Sequence, residues 1–499
     1  MNTLRVTPPI AALVLLAGPA AWAQDAEQST AKQAVSISAR VSVTETATDN
    51  VSLSKNAKSE QITEVSPGIR INVDGARLKS YFDYSLNKYY YAQGTSGSHH
   101  QNELTTYGTF EAVDNWAFID FSGNISQQTI SAYGTQSSAN TAINANRTEV
   151  SKYTVAPYLS GRLGDSATYE TRVTRSVSSS DSSTASNSSN TNSVIKLANA
   201  SAYRRLGWTA EASRQSVDYS AGRGTEADDF SLGLTYELTP QVNLSANAGR
   251  ESSNYTSLNK QNFDTHSVGV TWKPSERTTL SALTGQRSYG NQHNLSFVHR
   301  SGYTIWRITD SKDVSIDSGQ DGVGSSAYEQ ANALFAAISD PVIRAQLVQA
   351  YLQSNSSALN GFITSAVSLQ RRQDLSLALQ GIRDTLTFAR TRTETTRLDT
   401  VSSVIDDLSN GATVIQNGFS VNYNHRLTPD YSLAVLLSRQ NTSGSASAEE
   451  TTLKSLNINL TGKVGKKAAA SLGLRRVVSD SATNPYTENA VTGNLNVQF

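Results

Sequence analysis

Charged side chains at alternating positions are the first candidates for chemistry in this sequence. Arg77, Lys79 and Asp83 alternate with Leu78, Phe82 and Tyr84, and Glu170 and Arg172 alternate with Tyr169 and Val173. Asp120, Glu237 and Arg475 also stand on the polar side of alternating segments. Successive strand side chains point to opposite faces, so each segment sets a charged face against an apolar one. A charge facing lipid near the bilayer midplane costs about 2–4 kcal/mol, so these residues are expected to line a wet lumen. Their signs are mixed, which predicts no strong ion selectivity; as plain wall residues they would pair across strands. Catalytic patterns are thin. The six histidines, His99, His100, His266, His293, His299 and His425, show no zinc-like spacing and no adjacent glutamate motif. Serine is so abundant that a Ser–His pairing carries no information, and no Gly-rich phosphate loop joins a strand to a helix. The expectation is no catalysis, no cofactor and no metal site.

The elements that position these charges are strands. Phe230, Leu232, Leu234, Tyr236 and Leu238 alternate with Ser231, Gly233, Thr235 and Glu237. Val242, Leu244, Ala246 and Ala248 alternate with Asn243, Ser245, Asn247 and Gly249. Similar runs recur from Ala34 to the end, joined in turn by tight connections and longer polar ones. Ten tight connections are legible, at 73–76, 113–115, 161–166, 204–207, 238–241, 272–276, 300–302, 380–383, 427–430 and 462–467. Asp74 and Gly75 suit a two-residue hairpin, and Pro240, Pro274 and Pro429 suit the first central position of a turn. Ten hairpins, a first strand near residues 35–43 and a last strand predict an all-β transmembrane antiparallel barrel of about 22 strands (20–24). Trp116, Trp208, Trp272 and Trp306 each fall near a tight turn, as an interfacial girdle would. Tyr89, Tyr90 and Tyr91 are expected at the opposite girdle, and the polar stretches 126–147 and 178–193 as mobile outer loops.

Composition fits this architecture. Only 37% of residues are hydrophobic, too few for the core of a soluble domain of this length but natural where half of every strand faces water. There is no cysteine, so closure rather than cross-linking must hold the chain together. The near-zero net charge offers no footprint for nucleic acid. Residues 1–23 read as a secretory signal peptide, with Arg5, an apolar run and the small residues Ala21 and Ala23 flanking Trp22 at the cleavage site. Residues 24–499 would then be the barrel. At its end Val491, Gly493, Leu495, Val497 and Phe499 share one face, and Ala490, Thr492, Asn494, Asn496 and Gln498 the other. A chain ending this way resembles bacterial outer-membrane barrel proteins, whose terminal strand and aromatic are read by the barrel-assembly machinery; the resemblance makes Phe499, Val497 and Leu495 an assembly signal. Outer-membrane lipid is the other partner implied.

One segment, 311–361, breaks the two-residue period. Ser326 with Glu329 forms a capping box, and Ala331, Leu334, Phe335 and Ile338 follow at helical spacing. Asp340 and Pro341 start a second run through Ile343, Leu347 and Tyr351. A short helical insertion is expected, serving as plug, lid or partner-docking loop.

Several motifs resemble the outer-membrane barrels associated with the PEP-CTERM and exosortase system of Gram-negative bacteria. They are residues 44–53 (TETATDNVSL), residues 65–70 (VSPGIR), His299 and Arg300 before Trp306, the insertion with Asp340 and Pro341, residues 381–384 (GIRD), and Leu427, Thr428 and Pro429. The resemblance spans most of the chain. It implies a porin-like channel of the bacterial outer membrane, linked to exopolysaccharide export and its components, with no catalytic residues to carry over. Two alternatives remain from the residues themselves. One is a secreted Ser/Thr/Asn-rich β-structured adhesin or scaffold; the other is an outer-membrane hydrolase, which requires a Ser or Asp to meet a His at the barrel rim.

Overall fold

The computed structural model describes residues 34–182, 186–199, 205–316, 361–364, 366–399, 401, 405–445 and 450–499. The signal peptide with Ala21 and Ala23, and the two helices read between Ser326 and Tyr351, lie outside the described residues.

Twenty-two strands run in chain order. They are β1 Val35–Thr48, β2 Glu60–Asp74, β3 Leu78–Tyr91, β4 His99–Val113, β5 Ala117–Thr129, β6 Arg147–Leu163, β7 Ala167–Ser180 and β8 Ser188–Asn199. Next come β9 Leu206–Tyr219, β10 Thr225–Thr239, β11 Val242–Ser253, β12 Gln261–Ser275, β13 Thr278–Arg287, β14 Gly290–Arg300 and β15 Thr304–Ser315. The last are β16 Ser368–Gln380, β17 Asp384–Arg397, β18 Thr413–Arg426, β19 Tyr431–Gly444, β20 Thr451–Lys463, β21 Ala468–Ser481 and β22 Tyr486–Gln498. Every strand pairs antiparallel with its sequence neighbours, and β1 pairs with β22 from Arg40↔Gln498 to Thr48↔Ala490. The Phe499 amide donates to the Ala39 carbonyl at 2.8 Å and completes the seam. The sheet is therefore a closed antiparallel barrel with no free edge, which is how strands satisfy every backbone group in lipid. At about 4.8 Å between strands and about 40° of tilt, its backbone diameter is about 40 Å.

All ten tight connections join strands where the sequence places them. They share one end of the barrel with both termini of the wall, the periplasmic end; the other connections, most of them longer but with only two residues between β13 and β14, share the other. Directly paired residues share a face, so one register assigns the whole wall. The outward set includes Ile37, Val41, Leu232, Leu234, Leu437, Leu472 and Leu495, all exposed. Trp208, Trp272 and Trp306 also point outward beside the tight turns, and Trp116 donates its indole N–H to the Tyr169 hydroxyl at 2.8 Å. The periplasmic girdle is thus in place.

On the outer face, three glycines lie under aromatic rings of the neighbouring strand. A Cβ on Gly462 would stand 2.3 Å from the Tyr431 ring, on Gly108 2.6 Å from Phe121, and on Gly161 2.8 Å from the Tyr169 hydroxyl. The rings cover these bare backbone positions. Pro67 and Pro157 lack an N–H, and the ladders from β2 to β3 and from β6 to β7 skip the proline and its preceding residue, a local gap that a strand tolerates where a donor is missing.

Three expectations need correction. β15 runs to Ser315, so the alternating wall continues past 311. The connection that follows leaves from the outer end. β7 and β8 reach Ser180 and Ser188, so most of the Ser/Asn-rich stretch 178–193 is wall: in a closed barrel these small polar side chains pair across strands rather than float. Tyr90 alone of the three tyrosines faces out, under the Lys88 ammonium at 5.2 Å; Tyr89 and Tyr91 share the opposite parity and are buried inside. The closed wall with its outward apolar belt also replaces the soluble adhesin reading.

Candidate functional site: the lumen and its closed outer end

Inward positions are mostly Ser, Thr, Asn and Gln, punctuated among the described residues by ionic groups such as Arg372 with Asp374 at 2.9 Å and the four clusters that follow. In the first, Asp83 on β3 accepts Arg40 of β1 at 2.6 Å, Arg70 of β2 at 2.7 Å and the Tyr81 hydroxyl at 3.0 Å. Gly68 makes this possible. It sits between Arg40 and Ser85 in the register, and a Cβ there would stand 3.1 Å from the Arg40 Nε as the side chain crosses β2. In the second, Arg172 bridges Asp120 at 2.7 Å and Glu170 at 2.9 Å, while its guanidinium lies 3.9 Å from the centre of the Tyr158 ring. Asp120 also accepts the Thr109 hydroxyl at 2.7 Å.

In the third, Arg287 joins Asp229 at 3.0 Å and Glu251 at 3.2 Å. In the fourth, Arg475 joins Glu488 at 2.8 Å, which also accepts the Thr48 hydroxyl at 3.1 Å. The clusters mix signs, with two arginines on Asp83, one arginine between two carboxylates at Arg172 and again at Arg287, and an even pair at Arg475, so no single sign dominates the wall.

Of the residues expected to line the lumen, Asp83, Asp120, Glu170, Arg172 and Arg475 stand in these clusters. Lys79 and Glu237 share the inward register near the periplasmic turns. Arg77 stands in the turn before β3, where it forms an exposed ion pair with Asp114 at 2.7 Å. The partners Arg40, Arg70, Asp229, Glu251, Arg287 and Glu488 were missed by sequence reasoning; cross-strand register, once known, is the signal that finds them.

Near the periplasmic end the wall carries aromatic platforms. Tyr81 and Tyr107 stack at 5.2 Å between centroids, and Phe118 and Tyr158 at 5.0 Å. All four are inward by register, and Tyr107 is 56% exposed.

The outer end differs. Inward side chains there are buried under loops that fold into the barrel. Val51, Ile62, Tyr89 and Tyr91 form one apolar cluster with Ile143; Leu53, Leu453, Val477 and Tyr486 form a second with Ala142. Ala132, Phe362, Leu408 and Val414 form a third with Tyr133, and Val217, Tyr219, Tyr255 and Val367 a fourth.

Residues 130–146, read from the sequence as a mobile outer loop, link three of these clusters. The Ile143 amide donates to the Val51 carbonyl at 2.9 Å, Tyr91 donates to the Thr141 carbonyl at 3.1 Å, and Asp407 accepts the Ser131 hydroxyl and the Ala132 amide at 3.0 and 2.6 Å. The segment's polar residues saturate its own backbone. Gln136 Nε2 donates to the carbonyls of Ala132 and Gly134, and Asn146 Nδ2 to those of Ser131 and Thr135. Composition read as solvated is therefore consistent with burial, because several of its polar side chains bond to the segment's own carbonyls. A second tie, Arg223 to the buried Asp399 at 3.1 Å, holds residues 398–399 against the β9–β10 connection.

An aspartate and a histidine do meet at the periplasmic rim. Asp384 accepts His425 Nδ1 at 2.7 Å and the Tyr423 hydroxyl at 2.6 Å. These three share the outward face, so the trio sits at the membrane interface rather than in the lumen.

No family model matches the sequence, and no curated protein matches it. Solved structures do. The apoprotein form of the FrpB iron transporter from Neisseria meningitidis (F5-1 variant) superposes with a TM-score of 0.50 at 10% identity, over 93% of this chain and 81% of that one. The siderophore receptor PirA from Pseudomonas aeruginosa gives a TM-score of 0.46 at 10% identity, over 93% of this chain and 80% of that one. What the FrpB superposition shows is the fold, a 22-strand outer-membrane barrel.

Proposed function

We propose that this integral protein of the bacterial outer membrane is a conduit for an uncharged hydrophilic chain, entered from the periplasm and closed at its outer end by its own loops. The observation that carries the reading is the pairing of a polar wall of mixed-sign ionic clusters with aromatic platforms below and an apolar seal above. Sugar rings stack their C–H faces on aromatic rings, and their hydroxyls bond to carboxylates and guanidinium groups such as Asp83, Asp120 and Arg172. A neutral polysaccharide therefore suits this wall better than a small ion does. The resemblance to barrels of the PEP-CTERM and exosortase system supports the same cargo and proposes export components as periplasmic partners. Likeness to FrpB at 10% identity carries the barrel and not the cargo. No catalytic step is part of this function.

Binding of a linear neutral oligosaccharide to the detergent-purified protein, followed by titration calorimetry, tests the reading. A stack contributes about 0.5–1.5 kcal/mol, so Tyr158→Ala is expected to weaken binding by up to about tenfold. The same variant should leave heat-modifiable gel migration unchanged. Unaltered affinity in the folded variant, or no binding by the parent protein, would remove the polysaccharide reading.

A further inference from the structure

Outward charges are costly in a lipid-facing wall, yet one sector of this barrel collects them. Arg390 on β17 shares the face of Leu386 and Phe388, Arg439 on β19 that of Leu433, Val435 and Leu437, Lys454 on β20 that of Leu456 and Ile458, and Arg476 on β21 that of Leu472 and Leu474. These cations are adjacent. Arg390 pairs with Phe419, Phe419 with Arg439, and Arg439 with Lys454, so they form one continuous hydrogen-bonded row across β17 to β20. Arg392 lies two residues further along β17 than Arg390, and Arg476 pairs with Leu456 beside Lys454.

Compensation is incomplete. Arg392 has Glu394, and Lys454 has Asp480 at 3.0 Å. Arg476 donates to the Asn489 amide oxygen at 3.3 Å, and Asn489 in turn donates to Asp49. Among the described residues Arg390 and Arg439 have no ion-pair partner, and both are exposed. Phe419 between them is 50% exposed.

The opposite sector provides an internal comparison. On β9 to β12 the outward charges are Arg214 against Glu226 and Asp228, and Arg250 against Asp264, with Lys260 of the following loop bonded to Asp228 and Glu226 at 2.6 and 2.8 Å. Those hydrogen bonds, Asp228 first, raise the Lys260 ammonium above its ordinary range. With Asp218 on the same face, that sector sets four carboxylates against three cations and has no cation excess. The cation excess of β17 to β21 is thus absent from β9 to β12.

Height decides what it meets. Arg439 lies eight residues beyond Tyr431 at the periplasmic turn. At about 3.3 Å per residue and about 40° of tilt, that rise is about 20 Å, above the apolar rows and within the outer leaflet. Long cationic side chains there reach up to the headgroup layer.

We propose that the β17–β21 face binds a phosphorylated glycolipid of the outer leaflet. Arg390, Arg439 and Lys454 hold its phosphates, Arg392 and Arg476 flank them, and Phe419 packs on its acyl chains. Guanidinium groups suit phosphate oxygens by their forked geometry, and an apolar residue in the middle of the row suits an amphiphile rather than a free anion.

The test uses the full-length protein in nanodiscs of phosphatidylethanolamine doped with diphosphoryl lipid A, and native mass spectrometry of the released protein. The wild type should retain diphosphoryl lipid A, and Arg390→Gln combined with Arg439→Gln should reduce retention about tenfold while heat-modifiable migration is unchanged. Arg214→Gln combined with Arg250→Gln, on the opposite face, should retain it as the wild type does. The proposal is overturned if both double variants lose lipid equally, if dephosphorylated lipid A is retained as well as the diphosphoryl form, or if millimolar inorganic phosphate displaces the lipid.

Discussion

Replacing residues 130–146 with a short Gly-Ser linker is expected to raise single-channel conductance in planar bilayers by about an order of magnitude, because barrels of this strand number are wide and depend on an occluding element. The segment is central to the outer seal. It contributes Ala132, Tyr133, Ala142 and Ile143 to three of the four apolar clusters and hydrogen-bonds to Tyr91, Asp407 and Val51. Losing it exposes Val51, Leu53, Phe362 and Leu408 to water at once. The barrel wall needs none of it, since β5 and β6 pair independently from Ala117↔Leu159 to Thr129↔Arg147. Unchanged conductance in a variant that still migrates as a folded barrel would contradict the assigned role.

Deleting Phe499 is expected to produce the second largest effect, a several-fold fall in outer-membrane protein recovered in the heat-modifiable form, a sensitivity normal for proteins near their stability threshold. Two causes can be separated. Deletion removes both the hydrogen bond from Phe499 N–H to Ala39 and the ring, whereas Phe499→Ala removes the ring alone. The ring is 67% exposed at the periplasmic rim and so contributes little to packing. If the ring is the assembly signal, Phe499→Ala should match the deletion; if closure alone matters, only the deletion should act. Normal recovery of both variants would show that neither role holds.

Much of the wall is legible in the sequence because a closed barrel imposes one rule at every position. Strand parity follows from two-residue periodicity, and Asp74, Gly75, Pro240 and Pro429 announce their turns, so both strand count and turn side were readable. Register is not local, and what depends on it was not readable. Asp120 and Arg172 come together only because β5 to β7 fall into one alignment, and Arg40 reaches Asp83 only because Gly68 leaves room. The outward arginines were missed for a different reason. The cost of charge in lipid was applied to the whole strand, although it falls away toward the interface, where Arg439 and Lys454 sit. Residues 130–146 were misread because Ser, Asn and Gln were taken as partners for water, whereas here they are partners for backbone.

A lumen reached from the periplasm and sealed from outside is open to direct test. The chain has no cysteine, so single cysteines report cleanly. Tyr107→Cys places a thiol on the exposed inner platform, and the measurement is its rate of modification by a membrane-impermeant maleimide in intact cells and in cells with a permeabilised outer membrane. Rapid labelling is expected only when the reagent reaches the periplasm; equal labelling in intact cells would contradict a sealed outer end.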